Sequence, residues 1–142
     1  MTSTLCILLR IAGAVLLLLA AMHVPLSRRL KWYEESLLLS PVNAAVFRVH
    51  TLFICLILIL MGLPCIADPS VFIERNRASG WLAWTFAAFW SVRLYVQWFV
   101  FPRTLWLGKR FETKVHFIFT AIWIFLAALF VICGARHAAW IR

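Results

Sequence analysis

Eight polar side chains interrupt the long apolar stretches of this 142-residue chain, and their types limit the chemistry it can do: His23, Asn43, His50, Arg93, Gln97, Thr113, His116 and Thr120. A neutral imidazole can ligate a metal or relay a proton, and a guanidinium can hold an anion. Such groups are expensive in lipid and usually face the inside of a helix bundle. Three arrangements follow. In the first, His50 and His116 lie on diagonal helices and ligate haem b from opposite sides, with Arg93 paired to a propionate. Phe47, Phe53 and Ile54, however, leave little room for a porphyrin face beside His50. In the second, His23, His50 and His116 hold a metal. No carboxylate shares their helical faces and no H-x-x-x-H spacing exists, so no metal site is expected. In the third, Arg93 holds a quinone or an anionic lipid headgroup, and His50 or His116 relays a proton. Against all three stands a structural reading, in which the histidines bond backbone or headgroups and Arg93 pairs with Glu112 or Glu34.

The spacing of these residues gives each apolar stretch one polar face. Arg93 and Gln97 are four apart, and Phe86 and Trp90 continue their stripe. Thr113, His116, Thr120 and Trp123 follow a single helical face; Gly13, Ala20 and His23 share another; Asn43 and His50 are seven apart. Gln97 precedes Arg103 by six residues and Arg93 precedes it by ten, which sets them ~9 and ~15 Å along a helix from that cation. His23, His50, Arg93, Gln97 and His116 therefore fall in the same half of the membrane and are the candidate cofactor-binding residues, while His137 stands apart on the other side.

Four stretches are long enough to position them: 5–24, 42–67, 81–101 and 115–133 each approach the ~20 apolar residues that cross ~30 Å of hydrocarbon. Ser40-Pro41 and Asp68-Pro69 read as helix starts, Pro102 as a stop and Gly134 as a terminator. Trp81, Trp84, Trp98, Trp106 and Trp140 lie near span ends, as interfacial indoles do. Over 26–38, Leu26, Leu30, Tyr33 and Leu37 recur at helical spacing among Arg28, Arg29, Lys31, Glu34 and Glu35, which predicts an amphipathic helix in the interface. In holding histidines in a short bundle, the arrangement loosely resembles small cytochrome b-type anchor subunits, a likeness of architecture without a shared motif.

Composition agrees with lipid as the solvent. The chain is 65% hydrophobic and 13% charged, with a mean hydropathy of +0.95, an excess that one small core cannot hide. The net charge of +9 comes from cations in short connections rather than from a recognition helix or basic tail, so no nucleic-acid partner is expected. Arg28, Arg29, Lys31, Arg48, Arg103, Lys109, Arg110 and Lys114 outnumber Arg10, Arg75, Arg77, Arg136 and Arg142 across the other face. That bias puts both termini outside a cell membrane. Cleavage of the first stretch as a signal peptide after Ala20-Ala21 is disfavoured, because the cations follow the apolar run instead of preceding it. Cys6, Cys55, Cys65 and Cys133 form no C-x-x-C pair and read as small buried hydrophobes rather than as a bridge.

The expectation is therefore all-α: a single-domain, four-helix transmembrane bundle with one interfacial helix. No nucleophile or phosphate-binding motif is present. An accessory or interaction subunit in contact with lipid, other membrane subunits or its own copies fits this best, with a haem b electron-transfer protein or a quinone- or headgroup-binding protein as alternatives. Reporter fusions check the orientation: Ser36 should read cytoplasmic and Asn76 external, and the reverse pair of signals overturns it.

Overall fold

A computed structural model describes residues 2–141. Arg142, counted above among the outer-face cations, and the Trp140 side chain, one of the expected interfacial indoles, lie outside the described residues. Every regular element among those described is helical: α1 (Thr2–Arg29), α2 (Trp32–Ser36), α3 (Pro41–Ala67), a 3-10 turn (Pro69–Phe72), α4 (Arg77–Tyr95), a π-helical turn (Val96–Val100), a second 3-10 turn (Arg103–Leu105) and α5 (Arg110–Ile141). Three of these are long and apolar enough to cross a membrane: α1, α3 and α5 up to Ala139. The stretch expected as the third span is α4, which is not among them. Its tryptophans, Ser79, Gly80, Thr85, Ser91 and Arg93 dilute its hydropathy. The chain divides into two compact units, one ending at Pro69 and the other beginning at Ser70.

The first unit is a helical hairpin. Gly13 lies against Gly62, Cys65 and Ile66, and the Cys55 thiol faces the Ala20 carbonyl at 4.0 Å, so α1 and α3 run antiparallel. Leu5, Leu9, Ala12, Gly13, Leu16, Leu19 and Ala20 form the buried stripe of α1. Ala44, Leu58, Met61, Gly62 and Cys65 answer it from α3. Elsewhere both helices present apolar side chains outward: Ile7, Leu18, Leu52 and Leu60 are each about 60% exposed.

Ser40 caps α3 through its hydroxyl, with Pro41 at the first helical position. The expected helix over 26–38 is not continuous. α1 runs on through Pro25 to Arg29, since a proline near a helix end forfeits a single hydrogen bond. Lys31 then takes a left-handed φ of 53° and breaks the run before α2 begins.

The second unit is a second antiparallel pair, α4 on α5. Gly80 meets His137 and Trp84 meets Gly134; nearer the other end, Trp90 stacks on Trp123 at 5.3 Å. Phe72, from the 3-10 turn, closes a triad with Phe86 and Phe130, centroids 5.0–5.3 Å apart. Asp68-Pro69 thus begins this short turn, and α4 itself starts eight residues later, where Asn76 accepts the Ser79 N–H at 2.8 Å. The stop before Pro102 is as expected, with Phe101 extended at ψ 120°. Gly134, however, terminates nothing. α5 continues to Ile141, and the glycine instead leaves room for the Trp84 ring, 2.7 Å from where a Cβ would sit.

Gly13 generates the sharpest test of the hairpin. A Cβ there would lie 2.7 Å from the Gly62 carbonyl oxygen and 2.9 Å from the Cys65 Cβ, whereas one on Gly62 would have 3.0 Å to its nearest neighbour. Gly13→Ala should cost about 1–3 kcal/mol by overpacking, beyond the ~1 kcal/mol that alanine returns in helix propensity. Gly62→Ala, tight at 3.0 Å to the Gly13 carbonyl oxygen and 3.2 Å to the Leu16 Cβ but without a closer clash, should cost clearly less. Thermal unfolding of the two variants in mild detergent checks this, and equal behaviour refutes the register.

Candidate functional site

Arg93 near the end of α4 and Gln97 in the π turn that follows lie one turn apart, where the helix widens. Across from them, α5 brings Thr113, His116, Thr120 and Trp123 along one face. The two predicted stripes meet. Gln97 is 7% exposed and joins the rest: its Oε1 accepts from Arg93 NH1 at 3.2 Å and from Trp123 Nε1 at 3.4 Å. Its Nε2 lies 2.8 Å from His116 Nδ1.

Two donors on the Gln97 oxygen fix which way the amide points, and that fixes the imidazole. Gln97 Nε2 must donate, so His116 Nδ1 accepts and the ring proton sits on Nε2. Trp106 stacks over this ring at 4.3 Å and 11°. Thr113 donates to the Trp106 carbonyl at 2.7 Å and ties the connecting segment to α5. The guanidinium of Arg93 lies over the rings of Trp123 and Phe101, at 4.7 and 5.7 Å. Among the described residues neither Glu112 nor Glu34 pairs with it; Glu34 pairs instead with Lys31.

Donors outnumber acceptors here. Arg93 uses one of its five N–H groups on Gln97, the Trp106 indole N–H is buried without a partner, and His116 Nε2–H makes no hydrogen bond among the described residues. The arrangement can bind a group that brings acceptor oxygens or negative charge. It suits a ligand of iron poorly, since the lone pair of His116 Nδ1 is already taken by Gln97 and Nε2 carries the proton.

The remaining candidates belong to the first unit. His50 is exposed and donates from Nδ1 to the Val46 carbonyl of its own helix at 2.9 Å. His23 does the same to Leu19 at 2.8 Å and meets the edge of Trp32. No group of three metal-ligating side chains occurs among the described residues. His137, set aside in the sequence, is buried and donates from Nε2 to the Phe72 carbonyl at 3.1 Å, pinning the 3-10 turn to α5. Cys65 and Cys133 are fully buried. The stack of Trp106 on His116 is the feature that the sequence did not announce; by spacing Trp106 reads only as an interfacial indole. Its four-residue offset from Arg110, where α5 begins, carried no signal of a stacking role.

Gln97→Leu should strip three groups of their partner at once. It is expected to destabilise the second unit by about 1–3 kcal/mol, the cost of leaving buried polar groups unmet. His116→Phe, which keeps the stack on Trp106 and frees only the Gln97 amide nitrogen, should cost less. Thermal melts of both variants in detergent rank them, and a neutral Gln97→Leu removes Gln97 from its central place.

No protein-family model, no curated protein and no solved structure matches this chain, so the functional reading rests on the arrangement of Arg93, Gln97, Trp106 and His116.

Proposed function

We propose that this chain is a small polytopic membrane protein, an accessory or interaction subunit whose second unit binds a quinone-type ligand through acceptor oxygens. α1, α3 and α5 would span the bilayer. α4 with its π turn, ~36 Å at helical rise, would be the fourth span. Leucines and isoleucines on the outward sides of α1 and α3 suit lipid or a neighbouring subunit far better than water.

The observation that carries the reading is a cation without a counter-charge, oriented for use. Arg93 at membrane depth costs ~2.5–3.5 kcal/mol on insertion scales. Its supports are an amide oxygen and two aromatic rings rather than a carboxylate. A bound carbonyl or semi-charged oxygen would offset that cost, and His116 Nε2–H and the Trp106 indole N–H are donors within the same cluster. His116 Nε2–H can donate a hydrogen bond to that oxygen while Gln97 holds the opposite side of the ring.

Arg93→Leu tests this against the structural alternative. The variant should unfold at the same temperature as the parent or higher, and Glu112→Gln should not alter the result, since no carboxylate is stranded. Short-chain ubiquinone should stabilise the parent, by about 2.7 kcal/mol at a hundredfold excess over Kd, and should leave Arg93→Leu unaffected. A destabilised Arg93→Leu rescued by Glu112→Gln makes the residue structural and retires the ligand site. A purified protein that carries a split, reducible haem band lost in His50→Ala or His116→Ala replaces this reading with electron transfer.

A further inference from the structure

The break between α1 and α2 builds a cavity in the first unit that the quinone reading does not use. Lys31 turns the chain in its left-handed conformation, and Trp32 then sits edge-on between His23 of α1 and Phe47 of α3, 6.1 and 6.0 Å away. Beside it lies a space of about 440 Å³ bordered by Arg28, Lys31, Trp32, Phe47 and Arg48.

Its charge balance is cationic: Arg28, Lys31 and Arg48 line it against a single carboxylate, Glu34, with Tyr33 beside them. The hydroxyls of Ser27, Ser36 and Thr51 already donate to the carbonyls of Val24, Tyr33 and Phe47. Lys31 is matched by Glu34 at 3.4 Å. Arg28 and Arg48 form no ion pair among the described residues, so two guanidiniums from two different helices border one aromatic-walled space. An anion would neutralise them, and the walls call for an anion attached to an apolar body. The flanking connection strengthens that: Leu30, Leu38 and Leu39 are 49, 85 and 44% exposed, a surface that water does not favour and acyl chains do.

We propose that this cavity binds the phosphodiester of an anionic phospholipid, with Arg28 and Arg48 on the phosphate and Trp32 and Phe47 against the glycerol and first acyl carbons. Arginine suits a phosphate because its planar fork can give two parallel hydrogen bonds. The site shares no residue with the Arg93 cluster, so each can fail without the other.

Native mass spectrometry of the full chain in neutral detergent, with phosphatidylglycerol or phosphatidylcholine added, tests it. One phosphatidylglycerol should be retained in preference to phosphatidylcholine. The Arg28→Gln/Arg48→Gln double variant should lose about thirtyfold in affinity for it, and each single variant about fivefold, at the strength basic residues usually contribute near anionic lipid. Arg28→Lys/Arg48→Lys should keep most of the binding and thereby separate loss of charge from loss of fold. Arg103→Gln/Arg110→Gln removes the same charge elsewhere and should leave binding unchanged. Binding that survives in the glutamine variants overturns the proposal, as does an equal loss in Arg103→Gln/Arg110→Gln. Displacement of the lipid by millimolar inorganic phosphate also overturns it, and makes a free anion the ligand.

Discussion

Two apolar helices surrounded by apolar solvent gain little from touching except the quality of the contact itself, because lipid tails are as apolar as the side chains. Close approach is therefore the constraint on which both units depend, and each meets it with glycine. In the first unit the backbones meet at Gly13 and Gly62, where a methyl group on Gly13 would run into the opposite carbonyl. In the second, Gly134 admits an indole and Gly80 an imidazole. The second unit thus gains large flat rings in its seam, and these in turn make the apolar walls of a polar site. Trp90 on Trp123 and Trp106 on His116 are stacked within 11° of parallel, a packing that leaves few rotamers for the groups between them.

Within those walls a single amide decides the electrostatics. A carboxylate in place of Gln97 would neutralise Arg93 but could not donate to His116; a hydrocarbon would do neither. The amide oxygen faces Arg93 and Trp123 and the nitrogen faces His116, so the cation keeps its full charge while its orientation is fixed. The tautomer of His116 follows from the same bond. Hydrogen-bond accounting across four side chains therefore leaves the unused capacity of the cluster as donors, and a ligand with acceptor oxygens is the complement.

Much of this was legible in the chain because helical periodicity is local. The Arg93–Gln97 and Thr113–His116–Thr120–Trp123 faces could be placed from spacing alone, and they do meet. So could the apolar lengths that became α1, α3 and α5. What spacing cannot carry is anything a tertiary neighbour decides. Gly134 looks like a helix terminator, but a glycine needs a left-handed turn to end a helix, and here Trp84 claims its missing side chain instead. The 26–38 pattern has the period of one helix, yet the left-handed Lys31 divides it, leaving Leu26 half-buried and Leu30, Tyr33 and Leu37 exposed. Spacing makes His50 and His116 alike as ligands, but one bonds its own helix and the other a neighbouring amide.

The charge balance gives these separate features a common consequence. Fourteen basic residues face five acidic ones; among these, Glu34 pairs with Lys31 and Glu74 bonds Ser70 and Asn76. Internal pairing cannot neutralise such a surplus. In water, screening would deal with it; beside a low-dielectric phase, screening is weak and a fixed anion is worth more. Cations at a helix end next to apolar surface are thus most stable where phosphate headgroups lie. Arg93 differs in having no such route while its side chain is held by Gln97. The same excess charge thus sits in two settings: at the helix ends it lies beside apolar surface, and at Arg93 it is held by an amide oxygen and two rings without a carboxylate.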